Sequence, residues 1–166
     1  MITSGIFFKN FKASKQNSKI KKNLKKLIKE NNQILQSFSK NYKDQFKIKN
    51  FKIFKKFNDI RIIAIGGSSL GAKTIYSFLR EKIKKNVLFY DNLSPLNKKS
   101  ANKKHLNLII SKSGSTLETI VNSNILIKKS DKNIFITENK KNYLNLLAHK
   151  LKSEIVHHNN FIGGRY

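Results

Sequence analysis

The chain has 166 residues, 39% of them hydrophobic, enough to fill one core with an appendage but not two full domains. It holds no cysteine, which excludes a disulfide framework and a thiolate metal site and fits a reducing, cytoplasmic setting. The net charge of +26 raises the question of nucleic acid, yet among the 35 basic residues only Arg61, Arg80 and Arg165 are arginine, the side chain that specific readers favour. Lysine, asparagine, isoleucine and phenylalanine, whose codons are rich in A and T, are abundant together, so base composition explains the lysines as well as a partner does. The charge also divides evenly between residues 1–60 and 61–166. A dispersed lysine surface argues against a specific nucleic-acid partner and for steering of small anions.

Met1 to Lys9 lack a charged stretch followed by a long apolar one and do not read as a secretory signal. Ile20, Leu24, Leu27, Ile28, Leu35 and Phe38 fall on one face of an amphipathic helix whose other face is lysine, which predicts a helix packed on the main domain. Residues 40–58 have no clean period and read as a partly helical connector. From Ile60 onward short apolar runs alternate with helical ones. Arg61–Ile65, Val87–Tyr90, Leu106–Ile110, Asn133–Ile136 and Glu154–Val156 are the expected strands, with helices at Leu70–Lys84, Thr116–Lys129 and Asn142–Lys150. That rhythm predicts an α/β fold, a parallel sheet covered by helices on both faces, with ligands beyond the carboxyl ends of the strands. The expected division is a helical lead-in and connector over 1–58 and the α/β domain over 59–166. No apolar run reaches the ~20 residues of a membrane span, and no membrane partner is expected.

Three motifs follow the expected strands. Gly66-Gly67-Ser68-Ser69-Leu70-Gly71 lies between a strand and a helix, where glycines allow close approach and helix amides favour an anion. It also suits an ordinary turn capped by Ser68 or Ser69. A dinucleotide fingerprint needs glycine where Ser68 stands. A P-loop needs lysine at Ala72, and Lys73 comes one residue late, turned by about 100° on a helix. Val87 to Asp91 does resemble a strand ending in a magnesium-binding aspartate, which keeps a nucleotide phosphotransferase as a minor alternative. Ser111-Lys112-Ser113-Gly114-Ser115-Thr116-Leu117-Glu118-Thr119 gathers hydroxyls, a lysine and a helix start into a cradle for a phosphate monoester. Ser115 and Glu118 also have capping-box spacing. Gly163-Gly164-Arg165-Tyr166, taken alone, reads as a flexible chain end. His105, His149, His157 and His158 show no metal-ligand spacing, and neither metal nor cofactor is expected.

In this order the motifs resemble the glucose-6-phosphate isomerase family, with its Gly-Gly-Ser-x-Leu-Gly loop, its Ser-Lys-[Ser/Thr]-x-x-Thr-x-Glu-Thr phosphate loop and its Gly-Gly-Arg-[Phe/Tyr]-Ser segment, here broken off before the serine. The resemblance covers residues 60–166. It implies a three-layer α-β-α sandwich with a flavodoxin-like parallel sheet, the sugar isomerase (SIS) domain, behind a helical lead-in. It implies that Ser111, Lys112, Ser113 and Thr116 hold the sugar phosphate, that Gly67 and Ser68 line the sugar site, and that Arg165 stabilises charge on an enediolate. The implied reaction is the aldose–ketose interconversion of glucose 6-phosphate and fructose 6-phosphate in glycolysis and gluconeogenesis, by a cytoplasmic homodimer. The family's carboxylate base and ring-opening histidine have no match among these residues, so the chain is expected to be an inactive N-terminal portion of the enzyme. Glu118, Glu154, His157 and His158 are not assigned those roles. A non-catalytic SIS-domain regulator that binds sugar phosphate is the alternative.

Overall fold

A computed structural model describes residues 17–30, 32–43, 48–93 and 104–163. They fall into two compact units, one up to Tyr42 and one from Lys43 onward.

In the first unit, α1 spans Ser18–Lys29 and α2 spans Gln33–Gln36. The apolar stripe from Ile20 to Phe38 predicts a single helix, but two asparagines divide it. The Asn17 side chain accepts the Lys19 amide at 3.0 Å and starts α1; Asn32 accepts the Ile34 amide at 2.8 Å and starts a second helix after the extended Glu30. Asparagine caps well because its short carbonyl reaches an orphan amide. No residue of either helix is buried.

The second unit opens with a 3-10 helix, Ile48–Lys56. The strands β1 (Asp59–Ala64), β2 (Asn86–Tyr90), β3 (Leu106–Ile110), β4 (Lys132–Glu138) and β5 (Glu154–His158) form one parallel sheet in the order β2-β1-β3-β4-β5. Three helices connect them: α3 (Gly67–Phe78), α4 (Leu117–Leu126) and α5 (Tyr143–Lys150). Ile60 to Ala64 are all buried, because β1 lies inside the sheet with side chains packed on both faces. The edge strands β2 and β5 are only partly covered and carry Asn86, Glu154, His157 and His158, polar residues that discourage further pairing.

Alternation along the strands separates two cores. Ile63, Ile109 and Phe135 meet Leu126 of α4 and Leu144 and Ala148 of α5 on one face. Ile60, Ile62, Ala64, Leu106 and Ile134 meet Ala72 of α3 and Ile53 and Phe54 of the 3-10 helix on the other. The fold is thus the expected α/β sandwich of three layers.

Strands β1 and β3 are neighbours, with Ala64 aligned on Ile110. From β1 the chain leaves through α3 to β2 on one side; from β3 it leaves through α4 to β4 on the other side and the opposite face. The connections diverge there and open a crevice at the carboxyl ends of these two strands, where sheets of this kind take ligands.

Candidate functional site

Two loops border the crevice. In the first, Gly66 adopts φ 56° and ψ −126°, a conformation that a side chain would strain. This sharp turn lets α3 begin at Gly67, three residues earlier than expected, with the Leu70 amide bonding back to the Gly66 carbonyl at 3.1 Å. Neither Ser68 nor Ser69 is the cap: Gly66 holds that position, and the Ser69 hydroxyl donates to the Gly66 carbonyl at 3.1 Å. Gly67 and Ser68 are half-buried in the turn itself. Lys73 points away from any phosphate role, because its ammonium bonds the Asp91 carboxylate at the end of β2 and lies 5.7 Å from the centre of the Phe89 ring. The P-loop alternative needs both groups for a nucleotide, and here each occupies the other.

The second loop follows β3. Buried Ser111 is the hub: its hydroxyl accepts the Gly114 amide at 3.2 Å and shares a 2.9 Å hydrogen bond with the Thr116 hydroxyl. Ser113 and Ser115 lie exposed, with the Ser115 hydroxyl and amide both donating to the Ser113 hydroxyl, at 3.1 and 3.3 Å. Thr116 is the N-cap of α4, yet its side chain makes no capping bond. The first amides of α4 therefore lack the side-chain acceptor that a cap ordinarily supplies, which favours an external anion. The capping box suggested by Ser115 and Glu118 is not formed, since α4 starts at Leu117 and Ser115 bonds Ser113 instead.

Gly114 is required twice over. Its φ is 67°, and a β-carbon there would lie 2.2 Å from the Asn142 side chain. Asn142 caps α5 by accepting the Asn145 amide at 2.9 Å, and the Leu144 amide donates to the Gly114 carbonyl at 3.2 Å. The loop thus rests directly on the start of α5.

Lys112 is fixed at both ends. Its carbonyl accepts the Glu138 amide at 3.0 Å and the Thr137 hydroxyl at 3.2 Å, while its ammonium donates to the Asn160 carbonyl at 3.0 Å and lies 3.5 Å from the Glu138 carboxylate. The Lys140 ammonium, 2.9 Å from the other Glu138 oxygen, holds that carboxyl below the usual carboxylate range; burial opposes the shift and Lys112 assists it.

The structure thus places Gly67, Ser68, Ser111, Lys112, Ser113 and Thr116 along one edge of two adjacent strands. Arg165, with Gly164 and Tyr166, lies outside the described residues. Glu154 stands at the amino end of β5, away from this edge. Glu138, Lys140, Asn142 and Asn160 escaped the sequence reading, although Glu138 ends a strand and so obeys the rule that singled out the other loops. Among the described residues no helix is long and apolar enough to cross a membrane, and no group of three or more His, Cys, Asp or Glu side chains could hold a metal ion.

A family model described as phosphoglucose isomerase matches residues 10–166. Over 91 residues the chain is 41% identical to a glucose-6-phosphate isomerase of Borrelia garinii subsp. bavariensis, a match that covers 48% of this chain and 17% of that protein. Over 87 residues it is 38% identical to a glucose-6-phosphate isomerase of Methanocaldococcus jannaschii, covering 49% and 21%. These matches span about a fifth of the relatives' length. Among solved structures, a hypothetical protein of Thermus thermophilus superposes with a TM-score of 0.62 at 22% identity, over 70% of this chain and 31% of that one. The Vibrio vulnificus NanR protein complexed with ManNAc-6P superposes with a TM-score of 0.54 at 19% identity, over 70% and 43%. At these identities the two structures speak for the fold.

Proposed function

The chain belongs to the phosphoglucose isomerase family, and from that premise we propose that it forms the sugar-phosphate-binding part of a glucose-6-phosphate isomerase. Residues 59–166 are the SIS-type domain and residues 1–58 its helical lead-in and connector. The observation that carries the reading is the Ser111–Thr116 loop, where hydroxyls meet an uncapped helix start beside the glycine turn of the neighbouring strand. Ser111, Ser113, Thr116 and the first amides of α4 hold the phosphate of glucose 6-phosphate or fructose 6-phosphate, with Lys112 adding positive charge. Gly67 and Ser68 border the sugar. Arg165 stabilises the negative charge that develops on the substrate oxygens as a proton moves between adjacent carbons through an enediolate. The match to the isomerase family over most of the chain favours this reading over a non-catalytic regulator.

The full-length protein acts in the cytoplasm as a homodimer. Positioning and charge stabilisation lower the barrier, but the proton transfer also needs a base within hydrogen-bond reach, and these residues supply none that matches the family's. A coupled assay that follows glucose 6-phosphate formation from fructose 6-phosphate tests the proposal. Activity is expected from a chain extended to the length of the curated relatives and not from the 166 residues alone, and Arg165→Ala should remove it. Turnover by the 166 residues alone, or an extended chain without any, would contradict the assignment.

A further inference from the structure

Lys112 belongs to the phosphate loop but spends one N–H of its ammonium elsewhere, on the Asn160 carbonyl at 3.0 Å. Asn160 sits in the turn that follows β5, where the Phe161 amide donates to the Asn159 side chain at 3.0 Å and the Ile162 amide to the Asn159 carbonyl at 3.3 Å. This turn runs directly into Gly163-Gly164-Arg165. On its other side the ammonium faces Glu138, whose side chain is only 9% exposed and whose second oxygen is taken by Lys140. An ammonium has three donors in a fixed tetrahedral set, so two anchored directions determine the third. The lysine is part of the loop that meets the phosphate and is also tied to the segment that leads to the arginine.

Building on the sugar-phosphate reading of the loop, we infer that Lys112 is a latch between the phosphate loop and the Asn159–Gly163 turn, and that Glu138 is the positioning residue that aims it. A phosphate dianion in the loop draws the Lys112 ammonium toward itself and thereby changes its hold on Asn160. Occupancy of the phosphate site is then read by the Asn159–Gly163 turn. Lys140 keeps Glu138 neutralised when Lys112 shifts, so the carboxylate is never left buried and unpaired.

The test is a titration of the isotope-labelled 166-residue chain with inorganic phosphate, followed by amide chemical shifts. The Gly114, Ser115 and Leu117 amides should move as the loop fills, and the Phe161 and Ile162 amides should move along the same saturation curve. Lys112→Met should weaken phosphate binding, so that the loop shifts saturate at higher phosphate, and at that saturation the shifts of Phe161 and Ile162 should be lost. Glu138→Gln should also lose them, and adding Glu138→Gln to Lys112→Met should change nothing further, because Glu138 acts through the lysine. Dispersed signals from β3 and β4 in the same spectra establish that each variant is folded. Loop shifts with Phe161 and Ile162 unmoved in the parent chain would overturn the latch and leave the phosphate site standing. Phe161 and Ile162 responding undiminished in the Lys112→Met chain would also overturn it. Silence in the loop as well would overturn the phosphate reading and the latch together.

Discussion

At the amino edge of the sheet, the Asp131 carboxylate accepts the backbone amides of His105 and Lys128 and the side-chain amide of Asn107, at 3.1, 3.2 and 3.1 Å. The Arg61 guanidinium lies 3.6 Å from it and donates to the Leu126 carbonyl at the end of α4, at 3.0 Å. Arg61, His105, Asn107, Asp131 and Asn133 are all buried. At the carboxyl edge the hydroxyls of Ser113 and Ser115 bond each other at the surface, and the Thr116 hydroxyl turns to Ser111 instead of capping its helix. Both edges carry polar groups, but those of the amino edge are buried whereas Ser113 and Ser115 at the carboxyl edge are exposed. A buried polar cluster with several internal bonds ties segments together, here β1, β3 and the end of α4. A cluster with exposed hydroxyls and uncapped amides can still bind something. Accessibility of the donors, rather than their number, separates the lock from the site.

The difference can be broken most forcefully at the lock. Asp131→Ala should cost about 3–5 kcal/mol, because it leaves Arg61 buried without its carboxylate and removes an acceptor from three donors. Urea unfolding measures this, and a loss below about 1 kcal/mol would mean that water already reaches the cluster. Gly114→Ala touches both properties at once. The left-handed backbone alone should cost about 1–2 kcal/mol, the contact with Asn142 adds to it, and phosphate binding should fail with the displaced loop. Equal stability and binding in that variant would show that the turn is not the rigid support described above.

The smallest effect should come from acid. Glu138 has a lowered proton affinity in the folded chain, so its contribution is full above the ordinary glutamate range, about 4.3, and is lost as pH falls through the lower folded value. The stability gap between the parent chain and Glu138→Gln should therefore be constant from neutral pH down to that range and close below it. Urea midpoints collected along the acid limb test this. A gap that closes well above the ordinary range would contradict the depression by Lys140.

Much of the second unit was legible because its signals are local. Leu106 to Ile110 matched its strand end to end, since an apolar run that short, bounded by His105 and Ser111, fits a buried strand and little else. The start of α3 was misplaced because the glycines read as loop, whereas the positive φ of Gly66 completes the turn in one residue and leaves Gly67 free to begin the helix. The helix stripe in the first unit was overextended because periodicity continues through Asn32, and a capping side chain interrupts a helix without interrupting its pattern. At the site, the Ser111–Thr116 residues were found by type and spacing. Glu138 and Asn160 were not, because their meeting with Lys112 depends on the register of β4 against β3 and on where the chain goes after β5, which no spacing along the sequence encodes.

The claim that the carboxyl edge is a binding site rather than a second lock is tested most directly by pairing affinity with stability in one variant. Isothermal titration with 6-phosphogluconate and urea unfolding should both be run on the parent chain and on Ser113→Ala with Thr116→Ala. Exposed Ser113 and half-buried Thr116 carry little of the fold, so unfolding free energy should change by no more than about 1 kcal/mol, while binding should be abolished. Unchanged affinity in the double variant would contradict the site, and a large loss of stability with affinity retained would show that these hydroxyls hold the fold together instead.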